Sequence, residues 1–265
     1  FLNWHLRLWE TEFKNEECLL PHWELTGPGN LTNTTSQSID TVSNEIVGNI
    51  NAEGEYWNNR VKIIDNGTET YISGFDTDGE DLFGFKVKFS KTGTLLFVTA
   101  PNDTFTEKGT VYIFKRMNNV IPEIGDSSCG IYYKPIPEWV QIQSLNVEGL
   151  PNNTRFGVGI ELVNKDGIKN KCVAPIDAEY VFVASEEDDD SGAIYVFKTD
   201  DSVTWTQLSK IPNPHSNRAL SFFGYTFIPH VLRDAETDEV TKIFLTVGAP
   251  YAPLDVITNN NNNTL

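Results

Sequence analysis

Three Phe-Gly pairs, each followed by the same succession of short segments, constrain this chain more than anything else in it. They stand in "DLFGFKVKF" at Phe83, "TRFGVGIEL" at Phe156 and "SFFGYTFIP" at Phe223. Each precedes an apolar run that closes on small residues: "LLFVTAP", "YVFVAS" and "FLTVGAP". Twice an acidic turn and a Gly then lead into a β-branched and aromatic run, "EKGTVYIFKR" and "DSGAIYVFKT". A Trp opens the next segment in "YWNNRVKI" (Trp57), "EWVQIQSL" (Trp139) and "TWTQLSKI" (Trp205), and "NWHLRL" at Trp4 reads as a worn fourth copy. From Trp4 to Trp205 the spacing averages about 67 residues over three intervals.

Each unit therefore reads as four short strands, with no helical periodicity between them. Gly falls where a turn needs positive φ or where strands approach closely. A four-stranded antiparallel sheet recurring at this period fits blades set around an axis, the β-propeller solution to exposed sheet edges. An ordinary β-sandwich with chance motifs is the competing architecture. The aromatic share of 12% suits either sheet-rich core.

With these motifs in hand, the chain resembles the FG-GAP repeat proteins, the propeller type of integrin α-chain heads and of many secreted microbial surface proteins. Phe223-Gly224 followed by Gly248-Ala249-Pro250 carries the signature, and "GAIYVFKTDDSVTWTQLSKI" is similar to the microbial form. The likeness runs from about Trp57 to Pro250 and is specific for fold rather than function. It implies an all-β fold of four-stranded antiparallel blades, incomplete or part of a larger propeller, since family propellers generally have seven. It also implies calcium loops in some blades, between the Phe-Gly strand and the Gly-Ala-Pro strand. The first such segment, "KFSKTGTLLF", has no acid. The second offers Asn164 and Asp166 before Gly167, with a late Asp177, among three lysines. The third sets Asp234, Glu236 and Asp238 at alternate positions without the turn Gly. Oxygen ligands spaced this way converge on Ca²⁺ when the loop curls. Solvated polar turns are the plainer reading of both loops. Asp76, Asp78, Glu80 and Asp81 in "FDTDGEDLFG", and the acids from Glu186 to Asp190, are read first as turn-capping groups and second as metal ligands.

Charge narrows the partners. With 37 acidic and 20 basic side chains the net charge is −17, which disfavours nucleic acid and anionic membrane surfaces. No run of eighteen apolar residues predicts a membrane span. Six Asn-x-Thr sequons occur, at Asn30, Asn33, Asn66, Asn102, Asn152 and Asn262. Chance would give about two, so N-linked glycans and an extracellular or cell-surface location are expected. Of Cys18, Cys129 and Cys172, the last two sit in insertions around one repeat and are the expected disulfide. Cys18 is then free or paired outside the segment. The four His, at 5, 22, 215 and 230, lack a metal-ligand spacing, and no nucleophile elbow or phosphate loop occurs, so no enzyme is expected.

Residues 1–55 read as a degenerate first blade or an N-terminal arm, 56–256 as propeller blades and 257–265 as an Asn-rich tail or linker. The start at Phe1 reads as a processed mature terminus or a segment of something longer. After "FLTVGAPYAP" the pattern calls for another Gly-led strand and meets "LDVITNNNNNTL" instead. The expectation is that chain beyond Leu265, or neighbouring copies, complete the wheel. The functional expectation is a secreted, glycosylated structural protein, a homo-oligomer or filament subunit that builds a fibre, appendage or surface layer. The alternative is an integrin-like adhesion ectodomain with a protein ligand and calcium dependence.

Overall fold

Period-two alternation of apolar residues sets the architecture. The computed structural model describes residues 38–44, 47–103, 108–124, 131–164, 178–186, 192–214, 223–234 and 240–248, and for 118–124 and 131–137 the backbone. Among the described residues fourteen strands fall into four antiparallel sheets. Sheet 1 holds β1 (Ile39–Asn44), β2 (Gly48–Glu55), β3 (Arg60–Asp65) and β4 (Thr68–Ile72). Sheet 2 holds β5 (Val87–Phe89), β6 (Leu95–Ala100), β7 (Thr110–Ile124) and β8 (Ile131–Leu145). Sheet 3 holds β9 (Phe156–Asn164), β10 (Ala178–Ser185), β11 (Ala193–Lys198) and β12 (Thr206–Pro212), and sheet 4 is β13 (Thr226–Arg233) with β14 (Val240–Gly248). In sheets 1 to 3 each strand pairs with the next in sequence. The expected β-rich fold is thus what forms, and there is no α-helix among the described residues.

The sheets stack in chain order through three apolar layers. Ile50, Ala52, Val61 and Ile63 of sheet 1 meet Leu96, Val98, Tyr112 and Phe114 of sheet 2. The alternate residues Leu95, Phe97, Val111 and Ile113 meet Phe156, Val181, Val183 and Tyr195 of sheet 3. Phe182, Ala184, Ile194 and Val196 then meet Phe227 and the half-buried Ile243, Leu245 and Val247 of sheet 4. Strands buried on both sides explain the unbroken apolar runs "LLFVTA" and "YVFVAS". Each fully buried side chain of this size contributes about 1.5–3 kcal/mol.

The Phe-Gly pairs and the Gly before each third strand are two halves of one junction. Phe156 N–H donates to the Lys108 carbonyl at 2.7 Å. A Cβ on the neighbouring Gly109 (φ +91) would lie 2.2 Å from the Phe156 carbonyl oxygen. Gly192 (φ +89) meets the Phe223 carbonyl in the same way. Between sheets 1 and 2 the left-handed position is taken by Asn59 (φ 53), whose Oδ1 accepts the Phe83 N–H at 2.8 Å. Asn tolerates this conformation, so it stands in for Gly.

That equivalence moves one motif. Trp139 lies in β8 and Trp205 directly precedes β12, with 9% and 3% of their surfaces exposed. Trp57 sits in a 3₁₀ turn (Tyr56–Asn58) ahead of β3, a third strand, and is 68% exposed. "WNNRVKI" therefore matches "EKGTVYI", not "EWVQIQS", and the regular 67-residue spacing does not hold. Equivalent third-strand starts at Arg60, Thr110 and Ala193 are 50 and 83 residues apart. The line drawn between residues 55 and 56 runs between β2 and β3 of a single sheet.

Candidate functional site

The first strand of every sheet faces one cavity. Residues 38–40, 86–88, 159–161 and 225–227, from or next to β1, β5, β9 and β13, line a space of about 180 Å³. Its walls are polar. Lys88 and Glu161 form an ion pair at 2.9 Å across sheets 2 and 3. The Asp40 carboxylate accepts the Phe89 N–H at 2.6 Å, and Ser38 Oγ accepts the Val87 N–H at 3.1 Å, so β1 is held beside β5 by side chains. The Lys86 ammonium lies 5.5 Å from the centre of the Phe85 ring. Two ammonium and two carboxylate groups balance there, in a chain that is otherwise strongly acidic.

Connectivity sorts the loops into two faces. Links between second and third strands, and links from one sheet to the next, emerge beside the Phe-Gly pairs. The remaining hairpin turns emerge opposite. Hydrogen bonds hold each set together: Asn102 Nδ2 donates to the Glu80 carbonyl on the Phe-Gly face (2.7 Å), and Asn44 Nδ2 to the Thr92 carbonyl on the opposite one (3.0 Å). Asp76, Asp78, Glu80, Asp81 and Glu186 all fall on the Phe-Gly face, where Trp57 and the 95% exposed Phe75 also stand.

The carboxylates of Asp76, Asp78, Asp81 and Glu186 on this face are engaged with the fold. Asp78 N–H donates to Asp81 Oδ2 at 2.6 Å, and Glu80 N–H to Asp78 Oδ1 at 3.0 Å. The buried Tyr112 hydroxyl lies 2.8 Å from Asp76 Oδ1 and 2.9 Å from Asp103 Oδ2. Burial first, then these two carboxylates, raise the Tyr112 pKa far above the ordinary phenol value. Glu186 pairs with Arg155 at 2.9 Å. Asn164 and Asp234 fall on the opposite face; Asn164 Oδ1 accepts the Lys91 N–H at 3.1 Å and its carbonyl accepts from Arg233 at 2.7 Å. Among the described residues no three His, Cys, Asp or Glu are grouped to hold a metal ion. Asp166, Asp177, Glu236, Asp238 and the acids 187–190 lie outside the described residues. So do Cys18, Cys129, Cys172, His5, His22, His215 and the sequons at Asn30, Asn33 and Asn262.

The three remaining sequons differ. Asn102 and Asn152 are exposed on the Phe-Gly face. Asn66 and Gly67, both at positive φ, make the two-residue turn joining β3 to β4. Asn66 Nδ2 donates to the Val47 carbonyl at 2.8 Å and to Asp65 Oδ1 at 2.9 Å, while its Oδ1 accepts the Asn49 N–H at 3.0 Å. A glycan on that nitrogen replaces one of its two hydrogens, so both bonds cannot survive glycosylation.

No family model matches the chain, and no curated protein matches it either. Among the described residues no helix is long and apolar enough to cross a membrane. Sequence reasoning missed the cavity residues and the part played by Asn59. The positive-φ tendency of Asn, one place before a β-rich run, was the available signal for the second.

Proposed function

We propose that the four sheets are successive blades of an FG-GAP-type β-propeller, and that the chain is an extracellular, N-glycosylated structural protein. Its blades pack against neighbouring copies to build a fibre, appendage or surface layer. The observation that carries this reading is the junction of Phe-Gly with a left-handed residue, found between each sheet and the next, twice with Gly and once with Asn. First strands converging on one cavity agree with a radial arrangement. Exposed sequon residues at Asn102 and Asn152 agree with a glycosylated surface. Beyond sheet 4, Ile228 and Leu232 are 56% and 47% exposed, and β14 has one strand neighbour among the described residues. Exposed apolar residues beside an open strand edge suit a further β layer.

The deciding experiment is light scattering and negative-stain electron microscopy of the chain secreted from a glycosylating host. Regular assemblies, together with a mass loss on enzymatic deglycosylation, are expected. A monodisperse monomer at high concentration would sink the assembly reading, and an unglycosylated product the extracellular one.

A second reading, an adhesion ectodomain that binds a protein ligand through the Phe-Gly face, is favoured by the exposure of Trp57 and Phe75. It predicts ligand binding that is lost in Trp57→Ala and weakened by EDTA. Binding unchanged by both treatments removes it.

A further inference from the structure

Asn66-Gly67-Thr68 is at once a glycosylation acceptor and a favoured two-residue hairpin turn. The fold has taken the second use. Three hydrogen bonds seat the Asn66 amide: Nδ2 spends one hydrogen on the Val47 carbonyl and the other on Asp65 Oδ1, and Oδ1 accepts the Asn49 N–H. The backbone adds a fourth bond, from the Asn66 N–H to the Asn49 carbonyl at 2.9 Å. The turn from β3 to β4 is thereby fastened to the start of β2.

The surroundings are shaped for that amide. Gly48 (φ +75) lies so close that a Cβ on it would come within 2.3 Å of Asn66 Oδ1. The Asp65 oxygen that takes the Asn66 hydrogen also takes one from Arg116 at 3.0 Å, in the buried ion pair between sheets 1 and 2. Displacing the amide therefore withdraws a donor from a buried carboxylate, which is costlier than losing a bond at the surface. Asn102 is placed differently. Its Nδ2 gives one hydrogen to the Glu80 carbonyl and keeps the other for a sugar.

Glycan transfer forms a bond from sugar C1 to Nδ2 and breaks the bond from C1 to the lipid pyrophosphate. The pyrophosphate leaves as the nitrogen gives up a proton. At Asn66 either proton is one that a hydrogen bond of the turn uses, so the sugar would take the place of a bond. We propose that Asn66 is a conditional glycosylation site, open only while the β3–β4 turn is unmade; the inference rests on the glycoprotein reading above. A closed turn refuses the sugar, and a sugar attached first keeps the turn from closing. Folded chains therefore carry Asn66 bare, whereas Asn102 stays open to modification after folding.

The test is an acceptor assay on the full chain made without glycans, using purified oligosaccharyltransferase and a lipid-linked oligosaccharide, with peptide mapping as the readout. A peptide of residues 60–74 is the unfolded control. Asn66 should be modified at least about tenfold more slowly in the folded chain than in the peptide, since only transiently opened turns present it. Asn102 should be modified in the folded chain. Gly48→Ala, which pushes the amide from its seat and leaves the sequon intact, should restore modification at Asn66, with circular dichroism showing that the variant folds. In the secreted chain Thr68→Ala, which abolishes the sequon and keeps the amide, should change neither the glycan mass nor the melting midpoint.

Equal acceptance at Asn66 and Asn102 in the folded chain overturns the proposal, as does a glycan lost in Thr68→Ala at an unchanged midpoint. Refusal at both sites also overturns it, because the fold at large and not this seat would then exclude the enzyme. The acceptor assay supplies its own enzyme and donor, so its result holds whether or not the secreted chain is glycosylated, and the two readings fail separately.

Discussion

Sheets 1 and 2 have the same strand order, yet they treat their second face in opposite ways. Sheet 2 buries both, with Leu95 and Phe97 toward sheet 3 and Leu96 and Val98 toward sheet 1. Sheet 1 buries Ile50, Ala52, Val61 and Ile63 and gives its other face to water. There Arg60 bonds Glu55 at 2.6 Å and stacks 4.3 Å from the Tyr71 ring centre, Lys62 pairs with Glu69 at 3.2 Å, and Thr41 bonds Asn51 at 3.1 Å. Cross-strand pairs of this kind satisfy a solvated sheet and offer no apolar layer to a neighbour. Sheet 4 differs again, presenting Ile228 and Leu232 outward. Among the described residues the outward face of sheet 1 is mainly polar, whereas that of sheet 4 sets Ile228 and Leu232 beside His230, Lys242 and Thr246.

The sharpest way to break this contrast is truncation of one aromatic on each sheet. Phe97 is fully buried and meets Trp205 edge-on at 5.4 Å. Phe97→Ala should cost about 4 kcal/mol in urea unfolding. Trp57→Ala, on the exposed turn of sheet 1, should cost less than about 0.5 kcal/mol. Equal costs would mean that sheet 1 is covered too. Next come the ion pairs. Asp65, buried, takes two bonds from Arg116 at 2.7 and 3.0 Å. Removing one partner of a buried pair strands the other charge, so Asp65→Asn should destabilise by about 3 kcal/mol. Glu69→Gln, which breaks the exposed Lys62 pair, should leave the urea midpoint nearly unchanged. A comparable loss in both would refute the solvated assignment.

A smaller effect sharpens the junction. Gly109→Ala forces a Cβ against the Phe156 carbonyl at positive φ, at a cost of about 2 kcal/mol or more. Asn59→Gly keeps the conformation and loses only the bond to Phe83 N–H, so about 1 kcal/mol is expected from thermal melts. If Asn59→Gly proves the costlier, the two positions are not equivalent.

How much of this was legible follows from particular residues. Phe83-Gly84, Phe156-Gly157 and the β-rich runs marked strands correctly, because alternation and Gly placement are local properties of the chain. Trp57 misled because a Trp before a β-run looks the same in either phase; only Glu55 pairing with Arg60 across the turn fixes β3 as a third strand. The cavity could not be read at all. Asp40, Lys86, Lys88 and Glu161 are separated by up to 121 residues and meet only through the stacking of sheets. Asp65 and Arg116, 51 residues apart, form their pair for the same reason. Asn66 was ambiguous in kind, since Asn-Gly-Thr is at once a sequon and a hairpin turn, and the hydrogen bonds of its amide give the turn a claim on that side chain.

The last and smallest expected effect concerns the turn from β11 to β12, which delivers Trp205 to its buried site. The Asp201 carboxylate accepts the Thr204 and Val203 N–H groups at 2.7 and 2.9 Å. These backbone bonds, Thr204 first, hold its pKa at about 2, against an ordinary 3.8. A depressed folded-state value means that the carboxylate supports folding at neutral pH. That support begins to fade as pH falls below about 4 and is gone once pH has passed below about 2. Asp201→Ala should therefore lower the urea midpoint slightly at pH 6, with the gap to wild type closing between pH 4 and pH 2. A gap at Asp201 that stays constant down to pH 2 would mean that the side chain holds this turn by its shape and not by its charge.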